Sequence, residues 1–381
     1  MLRITVFIFF MIHVVPATLA YFLFPSINFF SGYFFILILF CSFVLGIFIS
    51  KYVQSNLKKE LYRLNIISKR KHMAIILLIV IIFLSRNDQI IQMLTALFQG
   101  NLIELALENA IERYLTPYAV NYSTFYRVGT AMLFCLSYVL GALYKNSYND
   151  NLYLIILVFF IFFELAWTLG RQGAFFSIIC FVIGYIVNNR SSISQISFYN
   201  LFKYSGIFVS TLIIIWGTVQ FGRVTESATN PLAIVIERFS RYTIIPFAVF
   251  MSWCNEWDQS LHYGAKTFAS IYELFGLDVI QGFYSRYYID NTSYSNIFTI
   301  YRGLLQDFGI ALSSIIFIFF GYKVCLYEIQ KTRLLDDMLI KIILMLIFFP
   351  LTSMMYSTSI LVGLVCSSLV INYCTHDMVN S

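Results

Sequence analysis

The chain is a succession of apolar runs with few polar interruptions. Taking stretches near the roughly 20 residues that cross the hydrocarbon of a bilayer, hydropathy predicts spans over 3–24, 30–50, 73–86, 127–145, 151–170, 173–189, 204–221, 308–323, 338–355 and 357–374. The third is short enough to begin inside the basic stretch before it. Two long connections, 87–126 and 222–307, hold much of the remaining polarity. In the first, Ile90, Ile91, Leu94, Leu97 and Phe98, then Ile103, Leu107 and Ile111, recur at helical spacing, while Glu104, Glu108 and Glu112 form one polar stripe. That pattern predicts helices lying along the membrane surface. In the second, the apolar stretch 242–253 is too short to span and is expected to be re-entrant or interfacial. No internal repeat is visible.

Composition sharpens this picture. Of 381 residues, 60% are hydrophobic and 12% charged, and the mean hydropathy is +0.79, so the chain cannot coat itself for water. The expected fold is all-α: one polytopic transmembrane domain over 1–381, with about ten spans, or up to about twelve, and a long late extracytoplasmic loop. The first twenty residues resemble a signal peptide, with Arg3, an apolar stretch and then Ala17, Leu19 and Ala20. Because further apolar segments follow, this is read as a retained first span.

Charge gives the orientation. Lys51, Lys58, Lys59, Arg63, Lys69, Arg70 and Lys71 crowd the second connection, and Lys323, Lys331, Arg333 and Lys341 surround the eighth. Basic loops favour the cytoplasm, so an even number of spans places both termini there.

Under that orientation the outer side carries nine arginines (Arg86, Arg113, Arg127, Arg171, Arg223, Arg238, Arg241, Arg286 and Arg302) and only one lysine, Lys266. The orientation rule treats the two residue types alike, so something else selects guanidinium. Its planar fork matches phosphate oxygens two at a time, which points to a phosphorylated ligand. Pairing with lipid headgroups or loop carboxylates is the plainer alternative for any single arginine. Arg171, Arg223 and Arg302 each stand at the outer end of a predicted span, the first two beside glycines that permit close approach or simply end and pack helices. Glu164, seven residues before Arg171, either supports that arginine or makes a structural bond between helices.

Four histidines are scattered without ligand spacing, so no metal is expected. Cys254 is the one cysteine in an outer loop, and no disulfide or cofactor is expected.

The segment Asn296-Ile297-Phe298-Thr299-Ile300-Tyr301-Arg302, followed by Asp307-Phe308-Gly309, resembles a pattern of the oligosaccharide repeat-unit polymerases, the O-antigen polymerases of the Wzy type. Gly170-Arg171-Gln172-Gly173 is similar to a second feature of that family. These pieces cover under about twenty residues, and the hydropathy layout extends the likeness. The resemblance implies a bacterial inner-membrane glycosyltransferase that works without a metal. It would move a growing glycan from undecaprenyl pyrophosphate to the non-reducing end of a new lipid-linked repeat unit at the outer leaflet. It also implies membrane lipid and a chain-length regulator as partners, and no nucleic acid.

Arg171, Arg223 and Arg302 would stabilise the departing pyrophosphate. Glu226, Asp258, His262 and Asp307 are the candidates for a general base on the acceptor hydroxyl, although Asp307 could instead cap the eighth span. Arg238, Arg241, Arg286, Asn296, Thr299, Tyr301 and Trp257 are assigned to substrate binding. Trp253, Trp257, Tyr263 and Tyr288 offer flat faces to sugar rings or serve as interfacial anchors. The rival readings are an O-antigen ligase, a flippase for lipid-linked oligosaccharides, and a receptor without activity.

Overall fold

The computed structural model describes residues 1–25, 28–53, 68–102, 104–105, 108–109, 124–144, 150–168, 171–189, 239–240, 243–277, 287–289, 294–295, 299–329, 334–350 and 358–375. The predicted span 204–221 lies outside them. Along the chain the helices are α1 (Leu2–Leu23), α2 (Phe30–Val53), α3 (Ser68–Ser85), α4 (Asn87–Gln99), α5 (Thr124–Leu143), α6 (Asp150–Thr168), α7 (Arg171–Asn188), α8 (Ile245–Trp253) and α9 (Ala269–Leu274). A strand pair, β1 (Tyr287–Tyr288) and β2 (Tyr294–Ser295), precedes α10 (Ile300–Ile329), α11 (Leu334–Phe348) and α12 (Thr358–Thr375).

Apart from that strand pair, the secondary structure of the described residues is helical. Among the described residues four helices are long and apolar enough to cross a membrane: Leu2–Leu23, Phe30–Val53, Tyr126–Leu143 and Ile300–Glu328. A fifth is reached if α3 and α4, bent by 77° at Arg86, are one broken span. The bend belongs to the segment read as a surface helix. On α4, Ile91, Leu94, Leu97 and Phe98 are exposed while Met93 and Ala96 are buried, and Gly100 ends the helix in the left-handed conformation.

The helices gather into two compact units. The first contains α1, α2 and α8–α11. Pro16 would clash with the preceding turn of α1 and cannot donate a backbone hydrogen bond, and the chain widens into a π-turn over Phe10–Val14 just before it. Close approach of α2 and α10 is set by a reciprocal glycine pair. A Cβ on Gly46 would strike the Ile318 carbonyl, and one on Gly321 would strike that of Phe43. Small residues allow such backbone contact between apolar helices.

α8, expected to be re-entrant or interfacial, is buried on almost every side: Ile245 through Met251 and Trp253 are all in the core. Its nine residues reach about 13 Å, well short of a span. A Cβ on Gly32 of α2 would come within 2.6 Å of the Met251 Cα. α10 and α11 are tied by charge, with Lys323 to Asp336 at 3.1 Å and the Tyr327 hydroxyl donating to Asp337 at 3.0 Å. Asp337 also holds Lys341, fully buried one turn further along α11, at 2.7 Å.

The second unit contains α3–α7 and α12. Its principal crossing, α5 with α7, repeats the glycine device. Gly141 faces the Phe181 carbonyl, and Gly184 faces that of Tyr138.

Candidate active site

The first turns of α10 carry the family-like segment, and their placement follows from three anchors. The Ile300 N–H donates to the Pro350 carbonyl at 2.8 Å. Tyr301 is fully buried among the rings of Phe35, Phe247 and Phe250, and its hydroxyl lies 2.6 Å from His13 Nδ1. His13 Nε2 is 2.8 Å from the Ile347 carbonyl, which can only accept. The Nε2 nitrogen therefore carries the proton, and Tyr301 donates to Nδ1. The third anchor is a sharp break at Gly309, whose φ of 62° and ψ of −169° lie outside helical space and favour glycine. Ser313 Oγ donates to the Leu304 carbonyl at 3.1 Å, nine residues back. In an unbroken helix those residues are about 13 Å apart along the axis, so residues 300–308 form a separate short helix that folds against the following one.

With Tyr301 turned inward, Arg302 faces Trp253 at the end of α8, its guanidinium 4.4 Å from the ring centroid. Tyr287 of β1 completes this group. Its hydroxyl lies 3.3 Å from Ser252 Oγ and donates to Glu256 Oε1 at 2.7 Å. Burial raises the Tyr287 phenol above its ordinary range, and the nearby Arg302 charge opposes that rise. Pairing of Tyr287 with Ser295 and Tyr288 with Tyr294 alternates the two tyrosines: Tyr287 turns toward the group and Tyr288 is exposed. Beside Arg302 in the chain, two buried polar atoms lack a hydrogen-bond partner among the described residues, Thr299 Oγ1 and Gln306 Oε1, and Trp257 Nε1, one turn past Trp253 in sequence, is a third. Gln306 lies one turn beyond Arg302 on the same helical face.

The adjacent loop is fastened to α10 by Asp307. Its buried carboxylate accepts the Lys266 N–H at 3.1 Å and also the Thr267 N–H, two donors that open the helical turns leading into α9 and have no intrahelical acceptor. The His262 N–H donates to the Gln306 carbonyl at 2.9 Å. Asp258 is held below the usual carboxylate range by hydrogen bonds from the Ser260 hydroxyl and N–H, helped by nearby His262. It is exposed and closes its own turn. Tyr263 is exposed and left-handed, with φ of 50°. Burial pushes the Cys254 thiol up to about 11, leaving it protonated and unreactive. None of the seven cysteines is in a disulfide.

Of the residues assigned from sequence, Thr299 and Arg302 stand together at the start of α10, Asp307 follows on the same helix, and Trp257, Asp258 and His262 lie on the segment between α8 and α9. Tyr301 points away from this group into the core. Arg223, Glu226, Arg238, Arg241, Arg286 and Asn296 lie outside the described residues. Arg171 begins α7 in the second unit, and its side chain lies outside them too.

In that unit Glu164 pairs with Arg86 at the α3–α4 bend. Arg86 also donates to Thr130 Oγ1 at 2.8 Å and stacks on Tyr126 and Phe163. Ser252, Glu256 and Tyr287 had no signal in the sequence beyond their residue types, because their partners lie far away or in irregular chain, and Arg86, grouped there with the outer arginines, is instead buried against Glu164. Among the described residues no three His, Cys, Asp or Glu side chains gather as metal ligands. No protein-family model, curated protein or solved structure matches the chain.

Proposed function

We propose that this protein is a polysaccharide polymerase of the Wzy type. On this reading it lies in a bacterial inner membrane with about ten spans and both termini in the cytoplasm. It passes a growing glycan from undecaprenyl pyrophosphate to the non-reducing end of a lipid-linked repeat unit at the outer leaflet. The helices that overlap nine of the ten apolar stretches support this layout.

The observation that carries the reading is the setting of Arg302. A guanidinium on the family-like segment lies against an indole, beside a tyrosine–carboxylate pair, and the same segment carries two buried polar atoms, Thr299 Oγ1 and Gln306 Oε1, that have no partner among the described residues. Unmade hydrogen bonds at buried atoms are costly, and a sugar's hydroxyls would satisfy them. As the glycosidic bond breaks, negative charge grows on the pyrophosphate. A fixed, forked cation stabilises that charge more than it stabilises the ground state. Trp253 holds the guanidinium plane and limits its freedom. A chain-length regulator and the carrier lipid are the partners this activity requires.

A flippase reading draws on the buried Arg86–Glu164 pair, since charges inside membrane bundles often mark transport routes. One experiment separates the readings: the lipopolysaccharide glycan ladder of cells lacking the protein, complemented by wild type or by Arg302→Lys at matched expression. A polymerase predicts single capped repeats in the deletion and no ladder with lysine. Loss of all surface glycan would indicate a flippase or, if lipid-linked polymer accumulates, a ligase. An unchanged ladder would exclude all three.

A further inference from the structure

The acceptor hydroxyl must lose a proton, and the sequence leaves its base open among four residues. Those within the described residues are committed elsewhere or set apart. Asp307 lies buried under the Lys266 and Thr267 amides, Asp258 closes a turn with Ser260, and His262 sits on the exposed loop with Asp258. A fifth carboxylate, without a role in the sequence reading, stands in the Arg302 group.

We propose that Glu256 is the catalytic base that takes the proton from the acceptor sugar's hydroxyl, an assignment that rests on the polymerase reading. Three observations carry it. Tyr287 fixes one carboxylate oxygen at 2.7 Å and is itself steadied by Ser252 at 3.3 Å, which orients the side chain without neutralising it. The second oxygen has no partner among the described residues, and the side chain is exposed, so a substrate hydroxyl can reach it. Arg302 acts electrostatically on the same Tyr287 hydroxyl and stacks on Trp253, whose carbonyl accepts the Glu256 N–H at 2.9 Å. Trp253 and Tyr287 thus each link Glu256 to Arg302, which positions a base and a cation in one site.

In the step itself, the acceptor oxygen forms a bond to the donor's anomeric carbon as the bond from that carbon to the pyrophosphate oxygen breaks. The bonding pair leaves with the pyrophosphate opposite Arg302. The acceptor's proton passes to the free oxygen of Glu256 and then to solvent, restoring the carboxylate.

The test uses the full-length protein purified in lipid nanodiscs with undecaprenyl-pyrophosphate repeat units, and reads polymer formation and donor binding. Glu256→Gln is expected to lower kcat by about 10²–10⁴-fold, with donor binding and acceptor KM unchanged. Glu256→Asp should keep part of the rate, and formate should restore turnover to Glu256→Ala, a rescue that a structural role would not produce. If the Gln variant is poorly folded, the formate response of the Ala variant decides. A polymerising wild type beside a Gln variant within about threefold of it, or no formate rescue, would overturn the assignment alone. A folded wild type that binds donor and forms no polymer would overturn the polymerase reading itself.

Discussion

Arg86 and Glu164, 78 residues apart, form a buried ion pair within the second unit. Arg86 is 2% exposed and Glu164 7%, so either charge alone would be stranded in a low dielectric. Breaking such a pair from one side costs about 3–5 kcal/mol, whereas replacing both partners by apolar residues is often close to neutral. Glu164→Gln is therefore expected to lower the thermal midpoint of the purified protein strongly, and Arg86→Met with Glu164→Leu to recover most of it. A double variant as unstable as the single one would argue against a pairwise role.

Gly173 gives a second handle on the same carboxylate. A Cβ there would lie 2.5 Å from Glu164 Oε2. In an exposed helix, glycine to alanine gains about 1 kcal/mol. Here Gly173→Ala should lose stability in the wild type and gain it in a Glu164→Ala background. Thermal melts of the four proteins read the change of sign directly, and the same sign in both backgrounds would mean that the carboxylate moves aside freely.

How far the sequence reaches is visible in these contacts. Periodicity and hydropathy located the helices, because apolar runs must hide their backbones from lipid. Apolarity does not distinguish protein interior from lipid, so the sequence left α8 open between re-entrant and interfacial, and its burial within the protein could not be read from it. The eighth span was predicted to begin at 308, where polar residues end. The long helix starts there, just past the break at Gly309, while the short helix 300–308 before it carries polar residues and left no hydropathy signal. For Glu164 two expectations stood open, support of Arg171 two turns along and a structural bond between helices, and the pair with Arg86 is of the second kind. Its partner Arg86 comes from another helix end, a tertiary choice that no local spacing encodes. Glu256 meets Tyr287 only through the β1–β2 pair, at a distance from which sequence offers no register.

Asp307 acts on the loop rather than on its own helix. Its two oxygens receive the Lys266 and Thr267 amides, and an asparagine would offer one acceptor and turn its amide group against a donor. Asp307→Asn is expected to cost about 1–3 kcal/mol locally. Hydrogen exchange should show faster exchange over 262–277 and unchanged protection over 310–329. Uniform loss across both segments would indicate global unfolding instead.

Tyr301 tests whether the family-like segment binds substrate through every side chain or uses some for support. Its ring is enclosed by phenylalanines, and its hydroxyl is spent on His13. Tyr301→Phe keeps the packing but leaves a buried imidazole nitrogen without its donor, at a cost of about 1–3 kcal/mol. The expected result is a lower thermal midpoint with a near-normal glycan ladder at a permissive growth temperature, because Arg302 remains on Trp253. Arg302→Lys should behave oppositely, with normal stability and a lost ladder. A Tyr301→Phe protein of full stability that makes no ladder would mean that the hydroxyl leaves His13 to contact substrate, and that the buried bond between them belongs to a resting state.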